Sequence, residues 1–336
     1  MNKVTIYVGL DYHQASVQVC LMDWEGKVLA NSMHRNSWQD IAAAVPLGAN
    51  IQAAIEACSG AADLAQELID RAGWSVSLAH PGYVNRIKQS PDKSDFSDAR
   101  LLADLIRVGY LPKVWLAPAE IRELRRLVRR RQQLAQDRRN TKLRIRALLR
   151  DGRVRGGEAN PWTKAWLQWL RTTPEVTPQT RWILDDQLRS LEFVEGQIRN
   201  AEKRLAEVTK EDLVVHQLLQ EDGVGLITAV TLRAEIGRFD RFRNGKQLSR
   251  FCGLSPRNAS SGQRQADAGL IKAGNAQLRA VLIETAHRLV RCQSRWARLS
   301  IKLRTERKPG SVVAAAVANR WMRWLHYRMT SLSLAG

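Results

Sequence analysis

The sequence has few of the features that mark exported, membrane or zinc-binding proteins. Its 336 residues include four cysteines, which are far apart and form no CxxC pair. This spacing argues against a disulfide framework or a zinc site and favours reduced thiols. The sequence contains no run of 18 apolar residues and no charged and then apolar leader. We therefore expect a soluble, unexported, cytoplasmic protein without a membrane partner.

Acidic residues are scarce relative to basic ones, with 33 Asp and Glu against 53 Lys and Arg, a net charge of +20. An excess of this size predicts a nucleic-acid partner. The charge is unevenly distributed. Residues 1–100 hold eight basic and eleven acidic side chains, whereas residues 121–155 hold fourteen and three. The basic surface is therefore predicted for the middle and C-terminal parts, and the N-terminal part retains carboxylates.

Alternating apolar residues predict three consecutive strands in the first 35 residues, followed by alternating helices and strands. This mixed α/β pattern is typical of a ribonuclease-H-like domain. Asp11 and Glu56 each end a predicted strand, and Asp95 and Asp98 begin an amphipathic helix. Because ligands gather at the carboxyl ends of strands in such sheets, we expect these four carboxylates to converge. Carboxylates are the hard oxygen ligands that Mg²⁺ prefers. We therefore expect a Mg²⁺ site here, and a pair of metal ions that catalyses phosphoryl transfer is one possible form of this site.

The middle of the chain predicts two long helices. The first, over about residues 119–150, is rich in arginine and has only a partial heptad seam. The second has leucine or isoleucine at 184, 191, 198 and 205, one heptad apart. The pattern predicts a coiled-coil-like middle region, and leaves open whether the helices pair within one chain or form a dimer contact.

The remainder of the chain predicts a mainly α domain. Residues 213–240 resemble a helix-hairpin-helix element around Gly223 and Gly225, which would offer backbone N–H groups to a phosphate; a simple helical packing unit would show the same pattern. A polar loop with several serines follows. The predicted domains are 1–115, 116–210 and 211–336. Candidate phosphate-binding residues are Arg125, Arg129, Arg130, Arg138, Arg139, Gly223, Gly225, Arg257, Arg264, Lys272 and Arg279.

Six short blocks resemble the DEDD-type insertion-sequence transposases in family order. They are IYVGLD, AIEACSG, KSDFSDARLLADL, DGVGLITA, FCGLSPRNASSG and IKAGNAQLRAVL, and they span roughly residues 4–330. The resemblance implies a resolvase-like N-terminal domain and a C-terminal transposase domain. It also implies an acidic tetrad of Asp11, Glu56, Asp95 and Asp98 that binds Mg²⁺. His13 and His80 have no spacing that indicates a site, and core or surface roles are expected for them.

The same resemblance implies a serine nucleophile that forms a phosphoserine with DNA. Ser261 matches its position, with Ser260 as the neighbouring alternative. In the family the tetrad and the serine meet across protomers, so a homo-oligomer, either a dimer or a tetramer, is expected. The partners implied are DNA at the element ends and target, and a non-coding bridge RNA that pairs with both. The cellular location implied is the nucleoid of a prokaryote.

Three other functions compete with this interpretation. A Holliday-junction-type resolvase or nuclease would use the same acidic tetrad with water as the nucleophile. A non-catalytic nucleic-acid-binding protein would need only the basic surface. An actin-like or sugar-kinase-like ATPase also ends its first strand in Asp, but the residues after Asp11 lack the glycines and hydroxyls of a phosphate loop.

Overall fold

The computed structural model describes residues 4–87, 94–156, 159–258, 267–271 and 274–333. The chain divides into two compact units, residues 1–119 and 120–336. The first combines a mixed sheet with helices, and the second is mostly helical. None of the described helices has both the length and the apolarity needed to span a bilayer.

The N-terminal unit begins with three antiparallel strands, as the alternating pattern predicts. The sheet has the order β3-β2-β1-β4-β5-β6; β1, β4 and β5 run parallel, and β2, β3 and β6 complete it through antiparallel pairs. This arrangement is compatible with a ribonuclease-H-like fold. Its elements are β1 (Thr5–Tyr12), β2 (Ser16–Met22), β3 (Val28–Arg35), α1 (Trp38–Ala43), β4 (Asn50–Glu56), α2 (Ala61–Ala72), β5 (Ser75–Ala79), α3 (Pro81–Ile87), α4 (Asp95–Arg107) and β6 (Lys113–Val114).

Helices cover both faces of this sheet. On one face, Val8, Leu10 and Ile55 are buried among side chains of α1 and α2. On the other face, α4 packs across β1 and β2, so that Ala99 and Ala103 lie against Cys20 and Met22. The N-terminal end of α4 therefore belongs to the same layered core as the first strands.

The second unit contains the two long helices and a bundle of shorter ones. A two-stranded antiparallel hairpin, β7 with β8, flanks the serine-rich segment, where the sequence predicts only a loop. The elements are α5 (Ala119–Asp151), α6 (Lys164–Thr172), α7 (Pro178–Val208), α8 (Leu213–Leu219), α9 (Leu226–Ile236), α10 (Gly245–Phe251), β7 (Pro256–Asn258), β8 (Asp267–Leu270), α11 (Ala276–Cys292), α12 (Ser294–Thr305) and α13 (Gly310–Ser333).

The long helices α5 and α7 pair antiparallel within one chain. Arg131 donates to Glu202 at 2.7 Å, and Lys142 lies 3.7 Å from Glu195, so positions rise along one helix as they fall along the other. The heptad residues at 184, 191, 198 and 205 are all buried. The seam of α7 is thus filled by its own chain, which favours the intramolecular alternative; the coiled-coil-like geometry stays a prediction.

Candidate acidic site and nucleic-acid surface

Two neighbouring parallel strands bring Asp11 and Glu56 to the same edge of the sheet. The last paired positions of β1 and β4 are Leu10 and Ile55, and each carboxylate is the next residue along its strand. Both preceding side chains are fully buried. The predicted convergence at the carboxyl ends of these strands therefore has a direct cause in the strand register.

The first turn of α4 carries the other two carboxylates. Ser94 caps the helix by accepting a hydrogen bond from the Ser97 backbone N–H at 3.2 Å, and Asp98 N donates to Ser94 O at 3.0 Å. Asp95 and Asp98 lie one turn apart, where their like charges repel. The partial positive charge of the helix N-terminus offsets part of that repulsion.

Gly9 permits the close approach that fixes α4 above β1. A Cβ at this position would lie 1.8 Å from the Ala99 carbonyl oxygen and 2.6 Å from the Ala103 backbone nitrogen. Ala99 and Ala103 are themselves small and fully buried. Gly9 is two residues before Asp11. The close packing of α4 on Gly9 therefore also determines the distance between Asp95, on the first turn of α4, and the end of β1.

A second contact holds the first turn of α4 from the side of β3. Asn31 donates through Nδ2 to the Phe96 carbonyl oxygen at 3.0 Å, and Gln18 donates to Asn31 Oδ1 at 2.8 Å. Gln18 is buried and pairs with Asp11 across β1 and β2. This chain of hydrogen bonds connects β2, the strand paired with the one that carries Asp11, to the helix turn that carries Asp95.

His13 completes a compact cluster with two of the four predicted carboxylates. Its Nε2 lies 3.4 Å from Asp11 Oδ2 and 3.2 Å from Asp95 Oδ2. The ligand atoms of Asp11, His13 and Asp95 all lie within 4.8 Å of one another, and no other such group occurs among the described residues. Sequence analysis does not select His13, whose one signal is its position two residues after Asp11.

Glu56 borders this cluster. Burial raises the pKa of the Cys58 thiol, and the negative charges of Glu56 and Asp11 raise it further, so both carboxylates act on the loop after β4. Gly60 ends this loop with φ +91°, and a Cβ there would lie 2.1 Å from Tyr12 Oη. The loop is therefore packed onto the end of β1, beside Asp11.

The donor set fits a hard divalent cation. Carboxylate oxygens are the ligands that Mg²⁺ and Mn²⁺ prefer, and an imidazole nitrogen suits Mn²⁺ and later metals better than Mg²⁺. Asp11 and Asp95 would be the direct ligands, with His13 either a third ligand or a hydrogen-bond partner. Asp98 shares α4 with Asp95, and Glu56 ends the neighbouring strand β4; both lie outside the 4.8 Å group.

The predicted nucleic-acid residues of the second unit are dispersed. Arg125 is part of the fold: it donates to the Ala234 carbonyl oxygen at 3.1 Å and lies 3.8 Å from the buried Glu235, and Arg129 lies 3.5 Å from the same carboxylate. Burial lowers the pKa of Arg125. Arg130 and Arg139 are exposed, and Arg138 is half-buried.

The predicted hairpin around Gly223 and Gly225 is a tight turn between α8 and α9. Arg288 holds it from α11 by donating to the Gly223 carbonyl oxygen at 3.1 Å and to Thr228 Oγ1 at 2.8 Å. Gly225 is the N-cap of α9 and leaves that position without a side-chain cap. The turn is firmly positioned, and its contact with nucleic acid stays a prediction.

Around the serine loop, only part of the prediction falls on described residues. Ser260, Ser261, Arg264 and Lys272 lie outside them. Arg257 is exposed on β7. Arg279 lines an open pocket of ≈ 590 Å³ between α11 and α13, and its Nη1 is buried with no hydrogen-bond partner among the described residues.

A mixed sheet with carboxylates at its strand ends, attached to a basic helical unit, is compatible with the class of metal-dependent enzymes that act on nucleic acid. Comparison with known families identifies a family within this class. The family model DEDD_Tnp_IS110, described as a transposase, matches residues 8–152. A second, described as the transposase IS116/IS110/IS902 family, matches residues 215–301. Together they cover more than half of the sequence, and the chain belongs to the IS110/IS116 family of transposases.

Relatives along the full length agree with this assignment. A probable family 20 transposase of Pseudomonas aeruginosa is 29% identical over 95% of each chain. The transposase for insertion sequence element IS1111A of Coxiella burnetii is 26% identical over 93% of this chain and 86% of its own. The transposase for IS1328 of Yersinia enterocolitica is 26% identical over 80% of this chain and 81% of its own.

Proposed function

We propose that this protein is the transposase of an insertion sequence and that it cleaves and joins DNA strands at the acidic cluster of its N-terminal unit. The observation that carries the proposal is the meeting of Asp11 and Asp95 at the carboxyl end of β1, with Glu56 beside them. A divalent cation bound there would stabilise charge on a scissile phosphate and lower the pKa of an attacking hydroxyl or water.

The protein side chains would have separate tasks. Asp11 and Asp95 supply the ligand oxygens, and Mg²⁺ is the cation that we propose. Glu56 and Asp98 complete the acidic tetrad, and their charges add to the negative potential around the two ligand carboxylates. His13 lies between the two ligand carboxylates and is within reach to exchange a proton with either.

For strand cleavage and exchange we propose Ser261 as the nucleophile. Its Oγ would lose its proton and bond to a DNA phosphorus as one backbone P–O bond breaks, and the released DNA oxygen would take up one proton in exchange. The energy of the phosphodiester would be kept in the phosphoserine, which the joining step would reverse. A serine hydroxyl is a poor nucleophile until a base or a metal ion activates it. Attack by water on the same phosphate is the competing mechanism, and it would need only the acidic cluster.

The proposed partners are DNA at the element ends and target, and a bridge RNA that selects them by base pairing. We also propose a homo-oligomer as the working unit. Support for the nucleic-acid partners is the net charge of +20, concentrated in the second unit. Since the substrate would be cellular DNA, the proposed place of action is the nucleoid in the cytoplasm.

A cleavage and trapping assay tests this function. Full-length protein would be incubated with Mg²⁺, labelled element-junction and target DNA, and transcribed flanking RNA, and products would be resolved under denaturing conditions. We expect a covalent protein–DNA band that requires Asp11 and Ser261, tested as Asp11→Asn and Ser261→Ala. Glu67→Gln, which removes an exposed carboxylate of α2, and Ser260→Ala are the matched controls.

The possible results separate the mechanisms. Metal-dependent cleavage without a covalent band, unchanged in Ser261→Ala, would overturn the serine mechanism and leave water as the nucleophile. Cleavage that survives Asp11→Asn would overturn the acidic site itself. A covalent band that needs protein and metal but no RNA would remove the RNA guide from the proposal.

A further inference from the structure

One face of α5 forms a positively charged groove in the second unit. Residues 131, 135, 138, 139, 142 and 146 recur at helical spacing of three or four and therefore lie along one stripe. They line an open pocket of ≈ 460 Å³ together with Trp162 and Glu284. The groove lies entirely within the second unit.

Three arginines of this groove have no carboxylate of their own. Arg131 is paired with Glu202 and Lys142 with Glu195. Arg138, Arg139 and Arg146, by contrast, have no ion-pair partner among the residues that the structure describes. Unpaired cations that line a concave surface attract a polyanion more strongly than dispersed cations do, because their electrostatic potentials add within the groove.

The groove is also pre-organised by an aromatic side chain. The Lys142 ammonium lies 4.9 Å from the centre of the Trp162 ring, and Glu195 holds it from the other helix. Trp162 packs 4.8 Å from the buried Trp166. Its φ of +69° is a conformation that bulky L-residues rarely adopt, and such strain is concentrated at functional positions.

We propose that this groove binds the phosphodiester backbone of a nucleic-acid strand. The proposal rests on the proposed function, since it gives a nucleic-acid enzyme a binding surface remote in sequence from its acidic cluster. Arg138 and Arg146 are eight residues apart, which is about 12 Å along the helix. At about 3.4 Å of rise per phosphate of one strand, that distance spans three or four phosphates. Arg138, Arg139 and Arg146 each neutralise one of them.

Binding of short probes by full-length protein tests the groove. Fluorescence anisotropy would be measured with duplex DNA, single-stranded DNA and an RNA hairpin of equal length, over a series of salt concentrations. The triple variant Arg138→Gln, Arg139→Gln, Arg146→Gln would be compared with Arg144→Gln, Arg189→Gln, Arg204→Gln. The control removes the same charge from arginines that do not line the groove, and circular dichroism would confirm that both variants fold.

For the probe that the wild type binds most tightly, we expect the groove variant to bind about a hundredfold more weakly at about 0.1 M salt. The slope of log K against log salt concentration should be smaller in magnitude by about 2 to 3. The control variant should stay within about threefold of the wild type. The probe with the largest loss identifies DNA or RNA as the ligand.

Equal losses in both variants, or none in either, would overturn the groove as a site. This outcome differs from failure of the proposed function, which would appear as the absence of Asp11-dependent cleavage while groove-dependent binding persists.

Discussion

The substitution Gly9→Ala tests how the fold builds the acidic site. The added methyl group would lie 1.8 Å from the Ala99 carbonyl oxygen, where ordinary contact begins near 3.4 Å, so α4 must retreat from β1 by about 1.6 Å. The obstacle is helix backbone, which has no rotamer to change. Overpacking of this kind costs about 1–3 kcal/mol of unfolding free energy.

The same displacement should damage the site more than the fold. A retreat of α4 carries Asp95 away from Asp11, and a misplacement of about 1 Å in a catalytic group can cost about a hundredfold in rate. We therefore expect urea unfolding to show a moderately destabilised but folded protein. Metal-dependent DNA cleavage should fall by at least that factor, and Mn²⁺ affinity should fall with it.

Gly73→Ala is the matched control. Gly73 has a positive φ, of +71°, but no atom of the described residues lies within 4 Å of an added Cβ, so its cost of about 1 kcal/mol comes from backbone strain alone. This variant should lose stability yet keep cleavage and metal affinity. If Gly9→Ala kept wild-type cleavage, or if both variants lost it in proportion to stability, the seating of α4 on Gly9 would not be what positions the site.

Three smaller predictions follow from individual contacts. Asn31→Ala removes the hydrogen bond to the first-turn carbonyl of α4 and the acceptor of the buried Gln18 amide, so cleavage should fall while the unfolding free energy drops by about 1–3 kcal/mol; unchanged cleavage would show that the turn needs no such support. Thr228→Val leaves the Arg288 guanidinium and a buried hydroxyl with one partner fewer, and should cost about 1–3 kcal/mol in urea unfolding; a neutral result would contradict that network. In native protein only Cys58 and Cys292 should react promptly with a thiol reagent, because these two are exposed whereas Cys20 and Cys252 are buried; four fast thiols would contradict the described cores.

The strands and long helices could be predicted because their causes are local. Alternating apolar residues and turn glycines define β1 to β3, and heptad leucines define the buried face of α7. That Asp11 and Glu56 lie at the same end of the sheet follows from each standing at the carboxyl end of a parallel strand. The hairpin of β7 and β8 is not predicted, since its strands are only three and four residues long and therefore too short to show an alternating pattern.

The membership of the acidic cluster depends on packing, which sequence periodicity does not encode. His13 meets Asp95 because α4, more than eighty residues later, is seated on Gly9 and tied to Asn31. Neither contact has a periodic pattern. The pairing of α5 with α7 illustrates the same limit: the heptads predict a buried seam, but only the assembled structure shows that the chain fills it itself.

The most direct test of the account is calorimetric titration of Mn²⁺ into full-length protein freed of nucleic acid. Wild type would be compared with Asp11→Asn, Asp95→Asn and the surface control Glu67→Gln. We predict saturable binding in wild type and control that is lost in either cluster variant, because each removes a ligand from the same group. Equal binding in all four proteins would contradict a metal site at the end of β1.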